Sequence, residues 1–579
     1  MRFKRRWVTL HSYAFYFAPK AACWQSLSRA GIIPAFPDVT MQPTTSFDAV
    51  IIGGGHNGLV CACYLAAAGL KVRLVERRDI VGGAAVTEEF FPGFRNSTAS
   101  YTVSLLHSKV IADLKLAEHG LRIVERPAAN FLPLPDNKHL LIGRTLAETQ
   151  AEVARYSTRD AARLPQYYAM LARAADVVRD MLLETPPNAG GGATDFFGAL
   201  KVARRMKKLD MPARRDVLDF FTKSAGDVLD AWFESDPIKA AFGFDAIVGH
   251  FASPYTPGSA YVLLHHVIGE VNGHRGAWGH AIGGMGAITQ AMRKEAEARG
   301  VEIITGCEVA QVCVDMRGAQ GVQLTDGRVI EGRCVVSGVN PKLLYTRLVP
   351  RHALDADFLQ RMHNYKCASG TFRMNVALSE LPEFTCLPGK QLRDHHKAGI
   401  IIAPSLKYME QAYFDARTLG CSRAPVVELL IPSTVDNSLA PPGKHVASLF
   451  CQHFNPVLPK GLDWNEIKEP AADLVIETVN QYAPNFKASV LGRMVLSPLD
   501  LEQRFGLIGG DIFHGALTLD QLWSARPLLG NGAYRGPIKG LYMCSAGTHP
   551  GGGVTGAPGH NAAREILRDF KRGRVAKRK

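Results

Sequence analysis

No C-x-x-C pair occurs in this 579-residue chain, and its eleven cysteines stand apart from one another. That spacing excludes a zinc ribbon and a thioredoxin-like redox pair. The nearest two, Cys61 and Cys63, diverge on a helix and read as small core residues. An odd count placed in apolar runs suits a reducing compartment. Basic charge is scarce outside the ends. Residues 1–40 carry +5 and residues 564–579 carry +6 of the net +14, which leaves +3 for residues 41–563. A near-neutral body with two basic tails excludes a nucleic-acid surface. No Ser-His-Asp set, metal-ligand spacing or paired carboxylate stands out. Ala49–Leu70 lacks charge over a length that could span a bilayer, but its centre, Gly53-Gly54-Gly55-His56-Asn57-Gly58, reads as a soluble strand–turn–helix. A clean secretory signal is missing too. Residues 1–37 are Arg-rich and free of acid, and two readings stand: a mitochondrial presequence, or a chain that properly starts at Met41.

What is present is a core and clustered glycine: 47% of residues are hydrophobic and 55 are Gly. "FDAVIIGGGHNGLVCACYLAAAGLKVRLVERRDIVGGAAVT" opens on a buried parallel strand, Ala49–Ile52. Gly53 permits a tight turn, Gly55 lets backbone approach a pyrophosphate, and Gly58 lets the helix pack on the strand. His56 and Asn57 sit at that turn as cofactor contacts, and the spacing predicts a helix over Asn57–Ala68. Its N-terminal N–H groups favour phosphate. A second strand, Val72–Val75, ends in Glu76, where an acid binds ribose hydroxyls and disfavours a 2′-phosphate; Arg77 and Arg78 soften that preference. Gly82, Gly83 and Ala84 supply a second small-residue loop beside the pyrophosphate, which suits FAD more than NAD.

The run "ERRDIVGGAAVT" resembles the flavoprotein group of phytoene desaturases and monoamine oxidases. "GGMGAITQAMRKEAEARGVEIITGCEVAQV" and the strands after it look like the second part of that group's FAD domain, with hairpin signals at Arg317-Gly318, Gln320-Gly321 and Asp326-Gly327. By that resemblance the backbone around Val309 faces the adenine. With "GGDIFHGALTLDQLWSARP" and the closing "GTHPGGGVTGAPG", the chain from Phe47 to Phe570 resembles the pyridine nucleotide-disulfide oxidoreductase domain-containing protein 2 family.

The resemblance implies an α/β fold, a discontinuous FAD-binding Rossmann-like domain with an inserted mixed-sheet plus helical substrate lobe. Residues 1–46 are an extension. Residues 47–120, 281–345 and 535–570 form the FAD domain, 121–280 a mainly helical cap, 346–534 a substrate lobe and 571–579 a basic tail. "DVLDAWFESDPIKAAFGFDAIVGHF" reads as a buried cap helix and its continuation.

A second G-x-G-x-x-G, Gly551–Gly556, lies 23 residues from the end, too few for another nucleotide unit. It reads as a turn into a last helix, His560–Phe570, which serves the same FAD from the ring end through Gly547, Gly552, Gly553 and Val554. His549 and His514 are the candidate polar groups at the flavin or substrate. The FAD is expected to be non-covalent, since Cys544 lies inside a strand. Cys307 and Cys313, six apart, do not fit disulfide reduction.

The expected activity is desaturation, dehydrogenation or redox-assisted isomerisation of an apolar small molecule, with a respiratory-chain or quinone acceptor. The alternative is a flavin-bound regulatory protein of mitochondrial function. The expected location is soluble and intracellular, in the mitochondrial matrix if the source is eukaryotic and in the cytoplasm if bacterial. Two readings stand for the basic tail, a disordered solubilising segment or a peripheral membrane contact, and two for Lys201–Arg215, a solvated helix face or a membrane-docking face.

Overall fold

The structure, a computed structural model, describes residues 46–188 and 191–575. The extension up to residue 45 and the last four residues of the basic tail lie outside the described residues.

The apolar strand Phe47–Ile52 forms the centre of a parallel sheet. Val72–Val75 lies on one side of it, in register Ala49↔Val72, and Glu302–Ile304 lies beyond that strand. Val329–Ser337 lies on the other side, followed by Leu541–Met543. The first half of Val329–Ser337 also closes an antiparallel meander with Val309–Asp315 and Gly318–Leu324. Strands from three separated stretches therefore build one seven-stranded sheet. The helices His56–Ala67, Gly286–Ala298 and Ala557–Lys571 pack together against it. Gly58 and Gly559 set their spacing: a Cβ at Gly58 would lie 2.3 Å from the Gly53 carbonyl oxygen, and one at Gly559 would lie 2.3 Å from that of Asn57. The fold is the α/β arrangement expected from the sequence.

A second seven-stranded sheet runs in the order Val490–Leu496, Phe372–Leu378, His445–Phe454, Cys421–Leu430, Gly399–Ile402, Asn130–Leu134, Lys138–Ile142. Its pairs are antiparallel except Gly399–Ile402 with Asn130–Leu134. One face is apolar and covered by the helix Trp464–Asn480. The other face carries Arg373, Phe450 and Glu428 side by side across three strands. A group of helices spanning Thr158–Val267 forms the cap, with Leu164, Tyr167 and Phe220 in its core.

Three local expectations differ from what is observed. Residues 121–280 begin with strands, because Asp136 and Asn137 both take positive φ (59° and 54°) and turn Asn130–Leu134 back on Lys138–Ile142. Gln320-Gly321 lies within the strand Gly318–Leu324, opposite Glu331, and makes no turn. The cap helix is two helices, Ala225–Trp232 and Asp236–Asp245. The buried Asp160 carboxylate holds the break open by accepting hydrogen bonds from the Glu234 and Ser235 backbone N–H groups and from the Ser235 hydroxyl.

Candidate active site

Where Phe47–Ile52 ends, Gly53 takes φ +93° and the chain enters the helix at His56. The Gly82 N–H donates to the Gly54 carbonyl at 2.8 Å, and a Cβ on Gly83 would approach the Gly55 Cα to 3.1 Å. Two small-residue turns thus meet at the N-terminus of a helix, leaving N–H groups directed at the space between them. Glu76, buried at the end of Val72–Val75, accepts the Gly54 N–H at 2.7 Å and the Arg78 N–H at 2.9 Å.

These groups line one continuous cavity of about 600 Å³. Its outer end is bounded by Glu76, Arg77, Cys307, Glu308, Val309 and Thr325. Its middle passes Gly53, Gly55, His56, Asn57, Gly83 and Ala84, and reaches Gly553, Val554 and His514. Its inner end is walled by Tyr101, Leu105, Val248, Trp278, Phe450 and Phe513, with His266 beside them. The cavity therefore brings together most of the residues singled out from sequence.

Five of them stand behind its wall. Gly58 and Gly82 pack the two turns. Gly547 lies against Pro341, and a Cβ at Gly552 would fall 1.9 Å from the Phe513 ring. His549 is the substantive correction. Its Nε2–H donates to the Met181 carbonyl at 3.0 Å, and its ring meets Trp523 edge-on at 4.6 Å. Burial pulls its pKa down to about 4, so it is a neutral strut between the closing turn and the helical cap.

His514 does line the cavity, at φ +58°. Burial, followed by repulsion from His56, lowers its pKa to about 3. Burial likewise lowers His56 to about 4, with a hydrogen bond to the Gly553 backbone opposing it. Both rings are neutral at pH 7.

The residues of the cavity wall also hold buried polar atoms without a protein partner: His56 Nε2, Asn57 Oδ1, Arg78 Nη1, Ser100 Oγ and His514 Nδ1. Unpaired buried polar groups are costly, so five around one cleft mark where a polar ligand completes the site.

Sequence reading missed three features. The first is Arg526, fully buried, whose guanidinium donates to the carbonyls of Phe513, Gly515, Ala516, Gln521 and Ala546 and so fixes the His514 loop. The second is a strap, Glu502–Ile508, over the outer end, tied by Arg77 to the Gln503 carbonyl at 2.8 Å. The third is the network behind the inner wall. The Tyr101 hydroxyl donates to Glu428, and Phe450 stacks on Tyr101 at 4.6 Å. The Arg373 guanidinium lies 5.0 Å over the Tyr101 ring, and the Arg126 guanidinium is 3.9 Å from Glu428. Burial, then the Glu428 charge, raises nearby Asp245 to about 8.

Comparison with known proteins explains this arrangement. The model of the family described as flavin containing amine oxidoreductase matches residues 58–372. Pyridine nucleotide-disulfide oxidoreductase domain-containing protein 2 of Rattus norvegicus is 41% identical over 91% of this chain and 94% of its own. A limonene dehydrogenase chain of Castellaniella defragrans is 25% identical over 92% and 96%. The lycopene-forming phytoene desaturase of Pseudescherichia vulneris is 25% identical over 88% and 96%. Among solved structures, an oxidoreductase from Methanosarcina mazei aligns with TM-score 0.56 at 16% identity over 90% of this chain and 99% of that one. A putrescine oxidase redesigned in its cofactor binding aligns with TM-score 0.55 at 16% identity over 91% and 99%.

The cofactor is FAD, and the cleft fits it. Glu76 suits the ribose, the paired glycine turns suit the pyrophosphate, and the five unpaired polar atoms offer partners to a polar ligand in the same cleft. The protein is a flavin-dependent oxidoreductase. The chain belongs to the flavin containing amine oxidoreductase family, in the branch of pyridine nucleotide-disulfide oxidoreductase domain-containing protein 2.

Proposed function

We propose that this oxidoreductase acts on an apolar substrate, by dehydrogenation (desaturation) or by redox-assisted isomerisation. The observation that carries the reading is where charge lies in the cavity. Its acidic lining residues, Glu76, Glu308 and Glu502, belong to the outer end and its strap. Among the described residues, the inner lining has no carboxylate, and Glu428 is sealed behind Tyr101. A cationic amine would leave water for a site without a counter-charge, which is unfavourable. A hydrocarbon would not. Limonene and phytoene, the hydrocarbons in two relatives' names, support the same substrate class.

Bound FAD supplies an acceptor for a hydride and for single electrons. The chain supplies position and dryness. Phe450 and Phe513 form apolar walls, and His56 and His514 offer neutral ring nitrogens that add no charge. Tyr101 keeps its proton directed at Glu428, so its oxygen presents a lone pair rather than an acid to the cavity.

We assign reoxidation to oxygen or a quinone, and this separates an enzyme from a flavin-bound regulator. The purified flavoprotein is photoreduced without air, then mixed with air or with a soluble quinone while the flavin absorbance is followed. Reoxidation within seconds by either acceptor supports turnover; a flavin that stays reduced with both contradicts it.

A further inference from the structure

The helix Ala193–Lys208 has no buried residue among those described, although it is 16 residues long. A helix gains most of its stability in a protein by burying an apolar face. Met206 packs against the cap core, but the aromatic side chains at the start of the helix point outward. Phe196 and Phe197 are each 65% exposed, with their rings 5.8 Å apart. The next helix, Met211–Thr222, adds Met211 at 68% exposure and Leu218 at 60%. At 100° per residue, Phe196, Phe197, Lys201, Arg204, Lys207 and Lys208 fall within an arc of about 140°. Met211, Arg215 and Leu218 share a face within about 60°. Single exposed apolar residues are ordinary, but four on consecutive helices, interleaved with cations, form a patch.

The cations are available. Lys201 and Arg205 pair with Glu184 at 2.6 and 2.8 Å, which anchors the first helix. Among the described residues, Arg204, Lys207, Lys208 and Arg215 make no ion pair. Residues 193–222 hold seven Lys and Arg against four Asp. Of these, Asp216 is engaged by Arg173, Asp219 by Lys223, and Asp210 caps Ala213. The corner between the helices is fixed, because the Arg214 guanidinium donates to the carbonyls of Met206 at 3.0 Å and Lys207 at 2.8 Å. The face is thus held in shape without a partner.

We propose that these two helices dock the protein on an anionic lipid surface. Phe196, Phe197, Met211 and Leu218 enter the headgroup boundary, and Arg204, Lys207, Lys208 and Arg215 meet lipid phosphates. Interleaved apolar and basic side chains match such a surface, whereas a purely basic face would suit a soluble polyanion. The position suits an apolar substrate. Phe221, on the same helix as Leu218, packs on Tyr261 at 5.0 Å and against the cluster that holds Phe513, which walls the inner end of the cavity. The docking claim itself does not depend on the chemistry in that cavity.

The test is flotation of the FAD-loaded full chain with vesicles of phosphatidylcholine containing phosphatidylglycerol. It is compared with F196S/F197S, with K207E/K208E, and with a chain ending at Phe570. The full chain is expected to float at low salt and to weaken as salt shortens the Debye length from about 8 Å. Either double variant is expected to need roughly tenfold more lipid or greater, with flavin content and melting temperature unchanged. The chain ending at Phe570 is expected to float like the parent. The proposal is overturned if both double variants float like the parent, if truncation alone abolishes flotation, or if the parent stays in solution at low salt. It is also overturned if the parent stays in solution while the patch substitutions dissolve a dimer, which would assign the face to a second copy.

Discussion

Glu76 concentrates two demands in one side chain. It ties the glycine turn through Gly54 and the Arg78 N–H, and we assign its remaining lone pairs to the ribose. The Glu76→Ala variant is expected to fold and to lose FAD affinity by about 1.5–3 kcal/mol for each charged hydrogen bond removed. Flavin retained at parental levels after extensive dialysis would refute the assignment. His549 tests the opposite point. Its Nε2–H pairs with Met181 on the cap, so His549→Gln should lower stability by about 1 kcal/mol and leave flavin reduction by substrate within a few-fold of the parent. A hundredfold slower reduction with normal flavin content would place His549 in the chemistry. Sequence made Gly53, Gly55 and Glu76 legible because a phosphate and a ribose constrain residue type and spacing together. It could not separate His549 from His514. Each stands close to a glycine, His514 before Gly515 and His549 two residues before Gly551, and which ring faces the cavity depends on Arg526 and Met181, brought close by the fold.

At the scale of elements, the closing turn works through shape. A Cβ on Gly552 would collide with the Phe513 ring, so Gly552→Ala should cost about 1–3 kcal/mol and shift the bound flavin's visible circular dichroism. Adding Phe513→Leu should return part of that loss; an unaltered melting temperature for Gly552→Ala would show that the contact is slack. Cys544, on the strand side of the turn, is fully buried in the core and does not line the cavity. Acid precipitation should therefore release yellow FAD into the supernatant, and colour retained in the pellet would contradict non-covalent binding. The strand–turn–helix at Phe47–Ala67 was readable from local pattern. The hairpin at Asp136-Asn137 carried a readable signal too, two turn-forming residues between apolar runs, but a cap expected to be helical hid it. The Arg373–Phe450–Glu428 row had no local signal, because it exists only in the register of three strands far apart in sequence.

Over the whole molecule, burial keeps many histidines neutral. His56, His250 and His266 are lowered to about 4, and His265, His453 and His514 to about 3, each chiefly by desolvation. Their unfolded values lie near 6.5, so below that pH the unfolded chain binds more protons than the folded one. Stability is therefore expected to be full above about pH 6.5 and to fall toward pH 4. Asp245, raised to about 8, acts with the opposite sign: it favours the folded state at low pH and loses that contribution as pH rises through about 8. Asp245→Asn should then be more stable than the parent at pH 9, and the gap should narrow as pH falls toward 5. Melting curves at pH 5, 7 and 9 check both statements, and a parent that melts higher at pH 5 than at pH 7 would contradict the histidine account.

The same distribution of charge underlies the central claim, that an inner cavity without a carboxylate takes an apolar substrate. The direct measurement is anaerobic bleaching of the bound FAD, followed at its visible absorbance, on adding either a cyclic or polyene terpenoid hydrocarbon or a diamine such as putrescine. The expected result is bleaching by a hydrocarbon and none by the amine. Bleaching by the amine, with every hydrocarbon inert, would contradict the claim.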